Sequence, residues 1–217
     1  MLNDRMDVAF GIIQSVKENF KILKKDNSYS QIKGYHANAD DILNNIIIEN
    51  IKSNFKDDAI ISEESTLNKN SEYCWIIDPL CGTTNFLHSI PFFSHSISVI
   101  KNTKIIFSII YDPCHEEIFH SDGINSYLNN NIINVSKVKK LSSSLVCINC
   151  NQSDQKSIKK NLVQLMEILS PPISRRVHIL ESANLELAYL AASRIDVYIN
   201  FDDKIWDITA GKLLIEK

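Results

Sequence analysis

The sequence predicts an α/β protein, an α+β N-terminal lobe followed by an α/β C-terminal lobe, and three observations carry that prediction. Two helical stripes precede the first strand-like run. Short apolar runs separated by turns then read as one sheet. After about residue 137 helices and strands alternate, which is the pattern of a second α/β unit, so the lobes are drawn at 1–136 and 137–217. A length of 217 residues with 44% hydrophobic and 23% charged residues supports a sizeable core and excludes disorder, collagen and coiled coil.

Val8, Ile12, Val16, Phe20 and Leu23 recur at helical spacing behind Asn3 and Asp4, which predicts a core-facing helix. Residues 27–38 are polar, include Gly34 and read as a loop. Asp40 then stands where it could cap a second helix carrying Leu43, Ile46, Ile47, Ile51 and Phe55. Strands are expected at Ala59 to Ile61, Trp75 to Ile77, Phe92 to Ile100, Lys104 to Tyr111 and, after the turn Asp112-Pro113, Ile118 to His120. Serine at 94, 96 and 98 suggests one small polar face and one buried face, with His95 in a structural role. The second lobe reads as a strand at Leu145 to Ile148, a helix near Ile158 to Leu169, the break Pro171-Pro172, and then a second strand and helix. Ser182 precedes the helical stretch Leu185 to Ala192, a strand covers Asp196 to Asn200, and a final helix begins near Asp207.

Lys and Arg number 23 against 26 Asp and Glu, a net charge of −3 that argues against direct nucleic-acid binding. The short basic run Lys137, Lys139, Lys140 has no interleaved aromatics. No apolar run reaches the ~18 residues of a membrane span, and Asp4, Arg5 and Asp7 interrupt the N-terminus, so a cytoplasmic location away from membranes is expected. The five cysteines (Cys74, Cys81, Cys114, Cys147 and Cys150) lack the spacing of a disulfide framework, and Cys147 and Cys150 read as strand residues. Glycine occurs only 5 times, so local departures from an expected glycine are in keeping with the whole composition.

Three acidic clusters stand at the ends of expected strands: Ser62-Glu63-Glu64-Ser65, the run Asp78-Pro79-Leu80-Cys81-Gly82-Thr83-Thr84-Asn85, and Trp206-Asp207. Converging carboxylates are what hard divalent cations need, because such ions take oxygen ligands. Pro79 would turn the Leu80 carbonyl toward the point that Asp78 faces, and the backbone N–H groups of Gly82, Thr83 and Thr84 would open a helix as an anion cradle. Spacing alone leaves a second reading open, in which Asp78-Pro79 is a turn, Thr83-Thr84 a cap and Glu63-Glu64 a solvated loop.

Beyond spacing, WIIDPLCGTTNFLHSIPFF resembles the WIIDPxDGTTNFxxxxPxF signature of the inositol monophosphatase family, and WDITAG resembles its WDxAAG. ISEES is similar to the family's GEES, YDPCHEEIFH to its YDPxxxExF hairpin, and SANLELAYLAASRIDVYI to its SAALxLxxVAxGRxDxYx segment. Asp40 falls at the Asp of the family's TxxD. The resemblance spans nearly the whole chain. It implies a layered αβαβα fold, commonly a homodimer, and Mg²⁺-dependent, lithium-sensitive hydrolysis of a small phosphate monoester, inositol monophosphate first, by a water that the metal activates. It also implies roles. Glu63, Asp78 and the Leu80 carbonyl would hold one metal, with Glu63 and Thr83 orienting the water. Asp78 and Asp207 would hold a second, Asp40 and Glu64 would support a third, Gly82, Thr83 and Thr84 would bind phosphate, and Ser182, Ala183 and Asn200 would face the substrate.

Four departures cluster near these positions. Cys81 stands at the family's metal-ligating Asp, where a largely neutral thiol is a poor ligand for Mg²⁺. The second metal position should be weakened, with a loss on the order of 10²–10³ in rate by analogy with removing one preorganised charge, and Mn²⁺ or Zn²⁺ would tolerate the sulfur better. Ser62 and Glu181 replace glycines, Asn200 replaces a Glu, and the chain ends soon after Gly211, so a short C-terminal lobe is expected. The alternative implied by Cys81 is a catalytically impaired member that works as an interaction protein, for example a partner of the transcription apparatus.

Overall fold

The computed structural model describes residues 2–25, 36–67, 70–150, 156–201 and 203–217. Residues 2–25 form α1 (Leu2–Lys25) because Ala9, Ile12, Ile13, Val16 and Phe20 make one buried stripe. The side chain of Leu23 and most of the expected loop, including Gly34, lie outside the described residues. Helix α2 (His36–Asn54) starts earlier than expected, so Asp40 is not its cap: it sits in the second turn, buried, four residues past the first helical residue. Leu43, Ile47 and Ile51 then recur on the face that meets α1 and the sheet.

Alternating and continuous apolar runs build one eight-stranded sheet in the order β2-β1-β3-β4-β5-β6-β7-β8. Its strands are β1 (Ala59–Ser62), β2 (Thr66–Leu67), β3 (Tyr73–Cys81), β4 (Ser94–Lys101), β5 (Lys104–Asp112), β6 (Glu117–Ser121), β7 (Ser126–Leu128) and β8 (Asn131–Ile132). A short helix, α3 (Thr83–Leu87), follows β3. Only the β1–β3 pair is parallel; the other pairings are antiparallel. The Asp112-Pro113 turn forms as read: the buried Asp112 carboxylate accepts the Cys114 and His115 N–H groups at 2.8 and 3.1 Å.

A second sheet, β10-β9-β11, is parallel throughout. It comprises β9 (Leu145–Cys150), β10 (Arg176–His178) and β11 (Val197–Phe201), and parallel neighbours need the helical crossovers α4 (Lys156–Leu169) and α5 (Ala183–Ala191). The chain ends in α6 (Ile205–Glu216). One core joins α1 and α2 to Trp75, Ile77, Ile97, Val99, Phe107 and Ile109 on one face of the large sheet. A second joins Ile110 and Phe119 on the opposite face to Leu185, Ala188, Ala210 and Leu214 of α5 and α6. Helix α5 also packs on β11, and α4 on β9, so the layers run α, β, α, β, α.

This layering corrects the reading of β4. Ser94, Ser96 and Ser98 do not face water; they are as buried as Ile97 and Val99. Small side chains on that face let α5 and α6 approach the sheet closely. The helices themselves meet so tightly that a Cβ on Gly211 would lie 2.3 Å from the Leu187 Cβ. Among the described residues no helix is long and apolar enough to cross a membrane.

Candidate functional site

The acidic residue of β3 does not follow the strand, as the sequence suggested, but lies within it. Strand β3 continues through Asp78 to Cys81, and the three-residue step from Asp78 to Cys81 faces the two-residue step from Ser96 to Ser94, which is a β-bulge. Pro79 explains the bulge, since it has no N–H to give to the ladder. Its carbonyl instead accepts the Nδ1–H of His95 at 2.5 Å. His95 is fully buried, and burial pushes its pKa down to about 4, so the ring is neutral and holds the bulge in the structural role expected for it. Within the bulge the Leu80 N–H donates to Asp78 Oδ1 at 3.2 Å, and Thr83 Oγ1 donates to the Leu80 carbonyl at 3.0 Å. Gly82 has φ +94°, and a Cβ there would meet the Glu181 and Phe92 carbonyl oxygens at 3.2 Å, so only glycine fits the turn into α3.

Glu63 and Glu64 leave the end of β1. Ser62, which stands at a family glycine, is buried; its hydroxyl donates to Asn44 Oδ1 of α2 at 2.7 Å and accepts the Glu64 N–H at 3.4 Å. The substitution therefore ties the acidic turn to α2. From the other side come Ser182, the residue before α5, whose hydroxyl donates to the Cys81 carbonyl at 3.0 Å, and Asn184 in the first turn of α5. The Asn184 N–H donates to Cys81 Sγ at 3.3 Å, while its Nδ2 donates to Asp78 Oδ2 at 2.9 Å and to the Trp206 carbonyl at 3.1 Å. Asp207 lies in the first turn of α6, where Oδ2 accepts the Lys204 N–H at 2.8 Å, so the same carboxylate caps the helix and faces the cavity.

These elements enclose a cavity of about 200 Å³ lined by Asp78 and the run Leu80 to Thr84, by Glu63 and Asp207, and by Asn149, Glu181 and Ala183. Of the anticipated site residues, Asp40, Glu64, Ser182 and Asn200 are not in its lining. Asp40 is nearby, because Glu63 and Glu64 act on it electrostatically. Burial, and after it those charges, raises its pKa to about 7. Asn200 is held by its sequence neighbours, its Nδ2 donating to Tyr198 OH at 2.8 Å and also to Asp203. Asn149 and Asn184 were not singled out from the sequence. Asn184 had a signal, since it replaces the second Ala of the SAAL pattern; Asn149, a polar residue near the end of β9, had none. Glu181 has φ +59°, the left-handed backbone that explains a family glycine at that position.

The lining holds four carboxylates, Glu63, Asp78, Glu181 and Asp207, and no Lys, Arg or His. Burial raises the Asp78 carboxyl well above its usual range, and Glu63 and Asp207 add to the rise. Glu63 is raised by burial and then by Asp207 and Glu64. Such a set lacks compensating positive charge and suits a cation. Asp78, Cys81 and Asp207 offer ligand atoms within 4.8 Å of one another, a group able to hold a metal ion. Glu63, Asp78 and Leu80 line the same cavity and have only oxygen to offer an ion, the donor type that Mg²⁺ prefers. The Asp78, Cys81 and Asp207 set, with its sulfur, does not suit that ion.

Behind the cavity Glu186 is completely buried. Its Oε2 accepts the Ser182 N–H and Asn149 Nδ2, both at 3.3 Å, and burial is the main cause that raises its pKa to about 7, with Asp203 and Glu181 adding to it. A carboxyl whose folded pKa lies above its unfolded one binds an extra proton in the native state. Its contribution is therefore complete below about pH 4.5 and falls as pH rises to about 7, by roughly 3 kcal/mol. Glu186→Gln should flatten this part of the pH dependence and be more stable than wild type at pH 8. Urea midpoints at pH 5 and pH 8 check it, and an unchanged slope counts against the assignment.

The model of the inositol monophosphatase family matches residues 1–217. Nus factor SuhB of Vibrio cholerae is 36% identical over 183 residues, covering 82% of this chain and 67% of that protein. Inositol monophosphatase of Dictyostelium discoideum is 30% identical over 221 residues, covering 99% of this chain and 80% of that protein. The solved structure of inositol monophosphatase from Anabaena (Nostoc) sp. PCC 7120 superposes with a TM-score of 0.85 at 30% identity, over 99% of this chain and 81% of that one. The chain thus spans about two thirds of the length of the Vibrio cholerae SuhB and about four fifths of the other two.

Proposed function

The chain belongs to the inositol monophosphatase family, and on that premise we propose that it hydrolyses a small phosphate monoester, with inositol monophosphate as the first candidate. The observation that carries this reading is that Glu63, Asp78, Leu80 and Asp207 line one cavity beside the start of α3. We take 1–136 and 137–217 as the two lobes, with the cavity between them, and a homodimer as the assembly.

Glu63, Asp78 and the Leu80 carbonyl are assigned to one Mg²⁺, Asp78 and Asp207 to the second metal position that Cys81 completes, and Asp40 and Glu64 to a weak third ion. Divalent ions bound there would lower the pKa of a water and neutralise charge on the phosphoryl oxygens. The chain's own residues do the rest. Gly82, Thr83 and Thr84 present the N–H groups that the α3 ladder does not use to the phosphate oxygens. Thr83, whose hydroxyl proton is engaged by the Leu80 carbonyl, offers its oxygen as an acceptor to the attacking water. Glu63 accepts a proton from that water and aligns it with the phosphorus, and Ala183 leaves room for the alcohol portion of the substrate.

The direct test is phosphate release from inositol 1-phosphate under Mg²⁺ and Mn²⁺, with lithium as inhibitor. Glu63→Gln should lower kcat by 10²–10⁴ while KM changes little, because the variant keeps the cavity and loses the proton acceptor. An unchanged kcat removes Glu63 from this role. A second reading, an interaction protein of the transcription apparatus with weakened catalysis, is favoured by Cys81 and by the relatives named Nus factor SuhB. Silence of the wild type under every ion, with activity gained in Cys81→Asp, would favour it.

A further inference from the structure

Two departures from the family pattern, Cys81 for Asp and Asn184 for Ala, touch one another. The Asn184 N–H donates to Cys81 Sγ, and its side-chain Nδ2 donates to Asp78 Oδ2. The sulfur is thus presented with the two carboxylates of Asp78 and Asp207, all three ligand atoms within 4.8 Å. A tetrahedral ion ~2.0–2.3 Å from each donor holds its ligand atoms about 3.3–3.5 Å apart, so the set draws together on binding. An independent observation also points to a cation. Asn184 is fully buried, and its Oδ1, in the same amide plane as the Nδ2 that touches Asp78, has no hydrogen-bond partner among the described residues. A donor-rich, cation-free lining with an orphaned acceptor beside it is an environment that a metal satisfies.

The chemistry of the donors then selects the ion. Mg²⁺ requires near-octahedral oxygen and dehydrates reluctantly, whereas a thiolate favours borderline ions such as Zn²⁺, which accept mixed sulfur and oxygen sets at low coordination number. We propose that Asp78, Cys81 and Asp207 form a mixed oxygen–sulfur position that binds a thiophilic divalent ion of the Zn²⁺ class in preference to Mg²⁺. Asn184 positions both the sulfur and the Asp78 carboxylate. On binding, the S–H bond breaks, its proton passes to solvent and a metal–sulfur bond forms. The neighbouring set of Glu63, Asp78 and the Leu80 carbonyl keeps its preference for Mg²⁺, so the site is built for two different metals. The inference deepens the metal-dependent hydrolase reading and rests on it.

The experiment uses metal-free wild type, Cys81→Ser and Cys81→Asp. Each is titrated with Co²⁺ and Cd²⁺ and followed by near-ultraviolet absorption, and Zn²⁺ and Mg²⁺ binding is measured by equilibrium dialysis. Wild type should develop a thiolate-to-metal charge-transfer band that saturates at one equivalent. Cys81→Ser, which retains Cys74, Cys114, Cys147 and Cys150, should lose the band and bind Zn²⁺ at least ~10²-fold more weakly, and Cys81→Asp should shift its preference to Mg²⁺. No band in wild type, or an equal band in Cys81→Ser, overturns the proposal. X-ray absorption on Zn²⁺-loaded wild type needs no variant: one sulfur at about 2.3 Å is expected, and an oxygen-only shell overturns it. Because none of these readouts is turnover, the two ideas separate. A band without phosphate release from any form removes the hydrolase reading, and release by Cys81→Asp with no band in wild type removes the sulfur site alone.

Discussion

Asp78→Asn is expected to abolish divalent-dependent phosphate release, a fall of at least ~10³ in kcat/KM, in a protein that still folds. Asp78 is the one carboxylate shared by both proposed metal positions, and it is only 1% exposed. Its neutral analogue removes a charge that Glu63 and Asp207 oppose, so the metal-free Tm should hold or rise. Metal response provides the second readout. Saturating ion at ~100 Kd adds about 2.7 kcal/mol, roughly 5–10 °C for a chain of this size, and that rise should vanish in Asp78→Asn. Retained activity together with a retained thermal response to metal would remove Asp78 from the centre.

Cys81→Asp should act in the opposite direction, raising Mg²⁺-dependent turnover by about 10²–10³. It supplies the oxygen that completes an all-carboxylate set, and the Asn184 N–H that now meets the sulfur is already aimed to donate to it. The cost should appear in the metal-free state. A third carboxylate is placed beside Asp78 and Asp207, so the Tm without metal should fall and the gain on adding Mg²⁺ should exceed that of wild type. Turnover assays and thermal melts with and without Mg²⁺ check both halves. If turnover does not change, the limit lies elsewhere, and Glu181, whose carboxylate lines the cavity, becomes the next residue to replace.

Most of the elements were legible because their signals are local. The stripe through Ile12 and Val16, the apolar runs of β3 to β6 and the Asp112-Pro113 turn each need only a few neighbouring residues to specify them. Short pieces were missed. Strands β2, β7 and β8 have two or three residues each, too few for a period to show, and they form through pairing with the strand beside them. The β4 serines misled for a related reason: alternation reports side-chain size and polarity, while burial depends on which helices cover the face.

At the site the same division holds. That Glu63, Asp78, Leu80 and Asp207 would meet at one cavity, with Cys81 among them, could be anticipated along the chain, because the motifs that carry them reside in residue type and spacing. That Asn184 of α5 pairs with Asp78 and Cys81 across more than a hundred residues, that His95 holds the Pro79 bulge, and that Ser62 ties the acidic turn to α2 could not. Those contacts exist only once the sheet has twisted and its layers have closed, since a hydrogen bond depends on distance and direction in space, and a linear sequence encodes these only through the complete fold.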